Sequence, residues 1–139
     1  MAPETWAIMG LALCAGLCGV GSAIGLYFTG SAASGVLAED PKKFSKVLIL
    51  VVLPATQGIY GFVFAIMGMG NLAKGASLFM AALPLTITGL ISGIFQGKTA
   101  VGGIYAIAKN ETLSGKLILF PAMVETYAIL GLVVSILLM

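Results

Sequence analysis

The sequence predicts an all-α polytopic membrane protein, four transmembrane helices arranged as two parallel-repeat hairpins and assembling into a ring. Three observations lead there. Of the 139 residues, 60% are hydrophobic and 9% charged, whereas soluble domains carry charge on about a quarter of their residues. A chain this short still exposes roughly a third of its unfolded surface after folding, so a soluble fold lacks the polar residues to cover it, and a disordered chain would be far less apolar. The apolar residues also fall into four long runs, and the two halves of the chain repeat each other.

The runs extend from about Trp6 to Leu37, Val47 to Met69, Leu78 to Ala106 and Leu117 to Met139. Each supplies the roughly 20 residues that a helix needs to cross the hydrocarbon. They are continuously apolar rather than alternating, which excludes barrel strands. The first run is expected to be a retained helix: the first nineteen residues of the chain hold Glu4 and no lysine, so it lacks the basic start of a secretion signal. The breaks are short: Ala38–Lys46, a few residues around Gly70–Gly75, and Lys109–Lys116. Short breaks make hairpins, giving units 1–70 and 71–139 with both termini on one side. Lys42, Lys43, Lys46, Lys109 and Lys116 gather in the first and third breaks, Lys98 lies toward the same end, and the middle break has only Lys74. Positive residues stay inside, so segments 38–46 and 107–116 are expected to be cytoplasmic and the termini outside.

The halves align without a gap at an offset of 67: Ile24/Ile91, Phe28/Phe95, Gly30/Gly97, Ala33/Ala100, Gly35/Gly102, Lys42/Lys109, Pro54/Pro121, Ala55/Ala122 and Tyr60/Tyr127 are identical. An even number of helices separates the copies, so the repeat is parallel, unlike the inverted repeats of many transporters. Gly16, Gly19, Gly21, Ser22, Ala23, Gly25, Gly30, Ala32, Ala33 and Gly35 make the first helix slim, and Gly89, Ser92, Gly93, Gly97, Ala100, Gly102 and Gly103 do the same for the third. The second and fourth are bulkier. Small residues let helices approach closely in lipid, and a ring with slim helices inside and bulky ones outside uses that property best.

The same totals exclude several classes. A formal charge of +2 is too small and scattered for a nucleic-acid surface. There is no histidine, which removes the usual general base of a hydrolytic triad. Cys14 and Cys18 stand four apart on one helix, a poor geometry for a disulfide, and no metal-ligand partners are nearby. They read as small packing residues. Gly16, Gly19, Gly21 and Gly25 superficially suggest a phosphate loop, but no strand precedes them and no βαβ context follows.

Glu125 carries the functional reading. It lies about eight residues into the fourth run, where a carboxylate is costly and marks a functional site by default. No lysine lies at matching depth to pair with it. Gly58 occupies its position in the first half, preceded by Thr56 and Gln57, and Gln96 lies at comparable depth in the third helix. Taken singly, Thr56 is satisfied by bonding its own backbone and each glutamine by clasping a neighbouring helix. Taken together, they offer several neutral oxygens around one negative charge. A proton carrier needs only the acid and a partner for its hydrogen, whereas an alkali cation needs oxygens to replace its water shell; calcium normally takes more acidic ligands. Pro54 disturbs the helix ladder near Leu53 and frees a carbonyl, so the Leu53 carbonyl joins the candidates. Tyr60, one turn beyond Gln57, is placed to hold the carboxylate, and Tyr127 faces another side of its helix.

At these residues the chain resembles the duplicated rotor-ring proteolipid, the c or K subunit, of V-type and archaeal or bacterial V/A-type ATPases. The resemblance is carried by Leu53-Pro54-Ala55-Thr56-Gln57-Gly58-Ile59-Tyr60-Gly61-Phe62, by Gly93-Ile94-Phe95-Gln96-Gly97-Lys98, and by Met123-Val124-Glu125-Thr126-Tyr127-Ala128-Ile129-Leu130-Gly131. It implies a homo-oligomeric ring of four-helix protomers that exchanges ions at a membrane stator subunit and meets central-stalk subunits at its cytoplasmic loops, with ATP chemistry on soluble partners and none on this chain. It further implies Na+ as the cargo, held by Leu53, Thr56, Gln57, Gln96 and Glu125 and supported by Tyr60. A proton-carrying ring of the same family is the alternative. A small four-helix cation or drug exporter is a remote one, since it would place its acid in the first helix and show no parallel duplication.

Overall fold

A computed structural model describes residues 2–139, and the described residues are helical throughout apart from short caps and turns. The first span is a single helix, α1 (Pro3–Glu39). The second is built from α2 (Phe44–Val52) and α3 (Thr56–Gly68), joined by a tighter three-residue turn at Leu53–Ala55. The third is α4 (Ala76–Lys109), and the fourth comprises α5 (Ser114–Leu117) and α6 (Leu119–Leu138). Four helical stretches are long and apolar enough to cross a membrane, Pro3–Glu39, Pro41–Lys74, Ala76–Lys109 and Glu111–Leu138. The chain is a multi-pass membrane protein.

Proline explains the bend in the second span. Pro54 has no N–H for the carbonyl a turn earlier, and the backbone tightens locally instead of breaking. Gly75 makes the middle reversal at φ 57°, in the region that favours glycine, and a Cβ there would stand 2.9 Å from Pro3 Cβ. Lys74 Nζ donates to the carbonyl of Met139, so the middle turn and both chain ends share one end of the bundle. At the other end Lys43 Nζ donates to the Ala108 carbonyl at 2.7 Å, supplying positive charge at the C-terminal end of α4.

The two loops at that end share one device. Asp40 (φ −146°, ψ 95°) accepts from the Lys42 N–H at 3.1 Å, and Asn110 (φ −149°, ψ 101°) accepts from the Thr112 N–H at 3.1 Å, each heading a three-residue turn. These Asx caps make Asp40 equivalent to Asn110, an offset of 70, which corrects the ungapped alignment at 67. Lys42 lies within its turn whereas Lys109 ends α4, so that identity is coincidental. Pro54 and Pro121 keep their offset of 67 because the second loop reaches its proline three residues sooner.

Slim helices pack on each other at the centre. A Cβ on Gly21 would lie 2.8 Å from Leu90 Cα, and one on Gly93 would lie 2.7 Å from the Gly21 carbonyl carbon. Backbone therefore meets backbone between α1 and α4. Two apolar clusters flank this contact. Ala7, Leu11, Cys14, Cys18, Phe64, Leu78 and Leu85 fill the end near the termini, and Ala32, Val36, Val47, Leu50, Ala100, Ile104 and Ile107 fill the loop end. Cys14 and Cys18 are free thiols within the first cluster.

Candidate ion-binding site

A polar layer lies between the two clusters. Gln57 and Gln96 are both fully buried, and Gln57 lies in the first turn of α3, directly after the bend at Pro54. Gln57 Nε2 donates to Gln96 Oε1 at 2.7 Å. Gln96 Nε2 in turn faces Glu125 Oε2 and the Pro121 carbonyl, both at 3.2 Å. The other carboxylate oxygen, Oε1, accepts from the Tyr60 hydroxyl at 2.7 Å. Thr56 Oγ1 lies 3.1 Å from the Leu53 carbonyl and 3.3 Å from Gln57 Oε1.

All six residues singled out in the sequence thus fall in one connected network. Leu53, Thr56, Gln57 and Tyr60 come from the bend and α3, Gln96 from α4, and Glu125 from α6. Glu125 is half-buried, and the one ion pair among the described residues is Lys43 with Asp40, at 3.7 Å. No lysine neutralises the intramembrane acid there. Tyr127 is 65% exposed and points away. Among the described residues there is no cluster of three His, Cys, Asp or Glu side chains. Leu53, Thr56, Gln57, Gln96 and Glu125 together offer one carboxylate, one hydroxyl, two amides and a backbone carbonyl, a hard, singly charged donor set that suits a monovalent cation better than a divalent one.

Sequence reasoning missed two residues beside this network. Ser22 accepts the Gly58 N–H at 2.8 Å, and Thr29 donates to the Val51 carbonyl at 2.9 Å. Both sit in a glycine- and alanine-rich helix, where a small hydroxyl residue reads as packing.

A hairpin duplicated in parallel, with one carboxylate held midway along a membrane-spanning helix among neutral oxygens, defines a membrane proteolipid of the ion-carrying kind. The ATP synthase C-subunit family matches the chain twice, over residues 9–68 and 79–138, and the chain belongs to that family. The two matched segments are themselves offset by 70, as the loop caps are. The chain is 46% identical to the V-type sodium ATPase subunit K of Enterococcus hirae, covering 96% of this chain and 89% of that protein. It is 40% identical to the A-type ATP synthase subunit K of Methanocaldococcus jannaschii, over 94% of this chain and 60% of that longer protein. Identity to subunit c'' of the V-type proton ATPase of Saccharomyces cerevisiae is 32%, over 97% of this chain and 70% of its relative.

Proposed function

We propose that this chain is the rotor-ring subunit of a rotary V/A-type ATPase and carries Na+ on Glu125. The observation that carries the reading is the carboxylate itself, set midway along the fourth span beside Gln96 and Tyr60 and joined through Gln96 and Gln57 to Thr56 and the Leu53 carbonyl. Leu53, Thr56, Gln57, Gln96 and Glu125 supply the oxygens, and Tyr60 holds the carboxylate without being a ligand. A proton would need the acid and one partner; three further buried or half-buried polar side chains favour a cation that must replace its water shell. The higher identity to a protein named for sodium than to one named for protons, 46% against 32%, supports the same choice.

The proposal extends to assembly. The units 1–70 and 71–139 form the two hairpins of a protomer, the second carrying the acid, and identical protomers close into a ring. With Na+ bound the site is neutral and crosses lipid at modest cost. Opposite a membrane stator subunit, a basic group of the partner attracts the emptied carboxylate and favours release. Each charge moved across the membrane exchanges about 2.3 kcal/mol per 100 mV, so many small steps accompany each turn. Segments 38–46 and 107–116 face the cytoplasm and meet the central stalk, the termini lie outside, and the chain itself performs no ATP chemistry.

Carbodiimide labelling of the purified ring tests the cargo. Na+ at fixed pH is expected to protect Glu125. Labelling that follows pH and ignores Na+ would assign the ring to protons.

A further inference from the structure

The bend that presents Leu53, Thr56 and Gln57 satisfies only part of its own backbone, through the Thr56 N–H to the Leu53 carbonyl. Helix α3 begins at Thr56, and its capping position, Ala55, has no side-chain oxygen to offer. The N–H groups of a helix's first turn need an outside acceptor. For Gly58, the third residue of α3, the acceptor comes from another helix: Ser22 Oγ, at 2.8 Å. Upstream, Pro54 has no N–H for the carbonyls three and four residues before it. One of these, Val51, receives the Thr29 hydroxyl at 2.9 Å. The carbonyls of Leu26 and Gly25 in Thr29's own helix are farther, at 3.2 and 3.3 Å, so the single hydroxyl proton is best placed toward Val51.

Ser22 and Thr29 are 6% and 0% exposed, so water does not replace either bond. They stand seven residues apart on α1, two turns along one face, and grip points that are also seven residues apart on the second span. Between them Gly25 offers bare backbone to the proline: a Cβ there would come within 2.6 Å of Pro54 Cβ. The other half of the chain lacks this arrangement. In the register set by the loop caps Ser92 corresponds to Ser22, and the Ser92 hydroxyl has no hydrogen-bond partner. Before Pro121 the counterpart of Val51 is Ile118, and its carbonyl accepts the Ala122 N–H at 3.1 Å instead.

We propose that Ser22, Gly25 and Thr29 form a cradle on α1 that holds the Leu53–Gln57 bend in its cation-binding shape, with Ser22 and Thr29 as positioning residues for the ion. The inference rests on the sodium reading of the Glu125 site and deepens it. Neither hydroxyl touches Glu125, whose partners are Tyr60 and Gln96. The cradle therefore acts on the oxygens contributed by the bend and leaves the carboxylate's own environment in place.

That separation supplies the test. Rings of the unaltered chain and of Ser22→Ala, Thr29→Val and Thr29→Ser are purified at matching size. Two quantities are read: the Na+ concentration that half-protects Glu125 from carbodiimide, and the pH profile of labelling without Na+. Ser22→Ala and Thr29→Val are expected to raise the half-protecting Na+ concentration about five- to tenfold, the size of a lost helix cap. Thr29→Ser keeps the hydroxyl and is expected to stay near the unaltered value, and all sodium-free profiles should coincide. Unchanged protection in both hydroxyl-deleting variants would overturn the cradle, as would a sodium-free profile that shifts together with protection. Should Thr29→Val fail to assemble, the smaller change Ser22→Ala decides alone. Absence of Na+ protection in the unaltered ring would remove the sodium reading, and the cradle with it.

Discussion

Tyr60 gives its hydroxyl to one oxygen of Glu125 and Gln96 gives an amide hydrogen to the other. The two donors fix the carboxylate from both sides, and hydrogen bonds to a charged acceptor contribute about 1.5–3 kcal/mol each. Tyr60→Phe removes one donor while preserving the ring that fills its place. It is expected to weaken Na+ binding about tenfold in equilibrium binding to the assembled ring, whereas Tyr127→Phe, at an exposed side chain, should leave binding unchanged. Equal affinities for both variants would remove Tyr60 from the site. Gln96 has more to lose, since it also meets Gln57 and the Pro121 carbonyl. Gln96→Ala strands a buried amide on Gln57 as well as a carboxylate oxygen. Its Na+ affinity should therefore fall further than that of Thr56→Ala, whose hydroxyl lies beside the Leu53 carbonyl and the Gln57 amide oxygen. The reverse order in the same binding measurement would show that the hydroxyl, and not the amide, dominates the oxygen set.

At the scale of elements, glycines divide by what their missing side chains would touch. A Cβ on Gly97 would lie 2.8 Å from the Gly25 carbonyl carbon, and that backbone cannot move without separating α1 from α4. Gly16, on the same slim helix α1, has nothing within 4 Å inside the chain. Overpacking costs about 1–3 kcal/mol where side chains can shift and more where backbones meet. Gly97→Val is thus expected to abolish the folded protomer, seen as lost yield and rapid proteolysis. Gly16→Val should leave the protomer helical but hinder ring closure, seen as a smaller species in mild detergent. A full-sized ring from Gly97→Val would contradict the α1–α4 contact. The sequence made the four spans legible because lipid imposes long apolar runs, and it exposed the site because an acid, two amides and a tyrosine stand out against them. The register of the loops was not legible: Asp40 and Asn110 differ in charge, and their shared turn depends on backbone angles. Ser22 and Thr29 were hidden for a related reason, since their role depends on which backbone groups another helix leaves unsatisfied.

In the whole molecule the polar network around Glu125 lies between two apolar clusters, one near the termini and one near the loops. Its members come from three spans: Leu53, Thr56, Gln57 and Tyr60 from the second, Gln96 from the third, Glu125 from the fourth. The first span joins through Ser22 and Thr29. A cation bound there ties all four spans at mid-depth, and in the unfolded chain these oxygens are dispersed. Binding to the folded form alone stabilises by about 2.7 kcal/mol when the ligand is at a hundred times its dissociation constant. Thermal unfolding of the solubilised ring should therefore move upward with NaCl and show a much smaller response to choline chloride at equal ionic strength. Glu125→Gln, which removes the negative charge while keeping an amide of similar shape, should abolish the difference between the two salts. Equal shifts with NaCl and choline chloride for the unaltered ring would mean that screening, not a site-bound sodium ion, holds the four spans together.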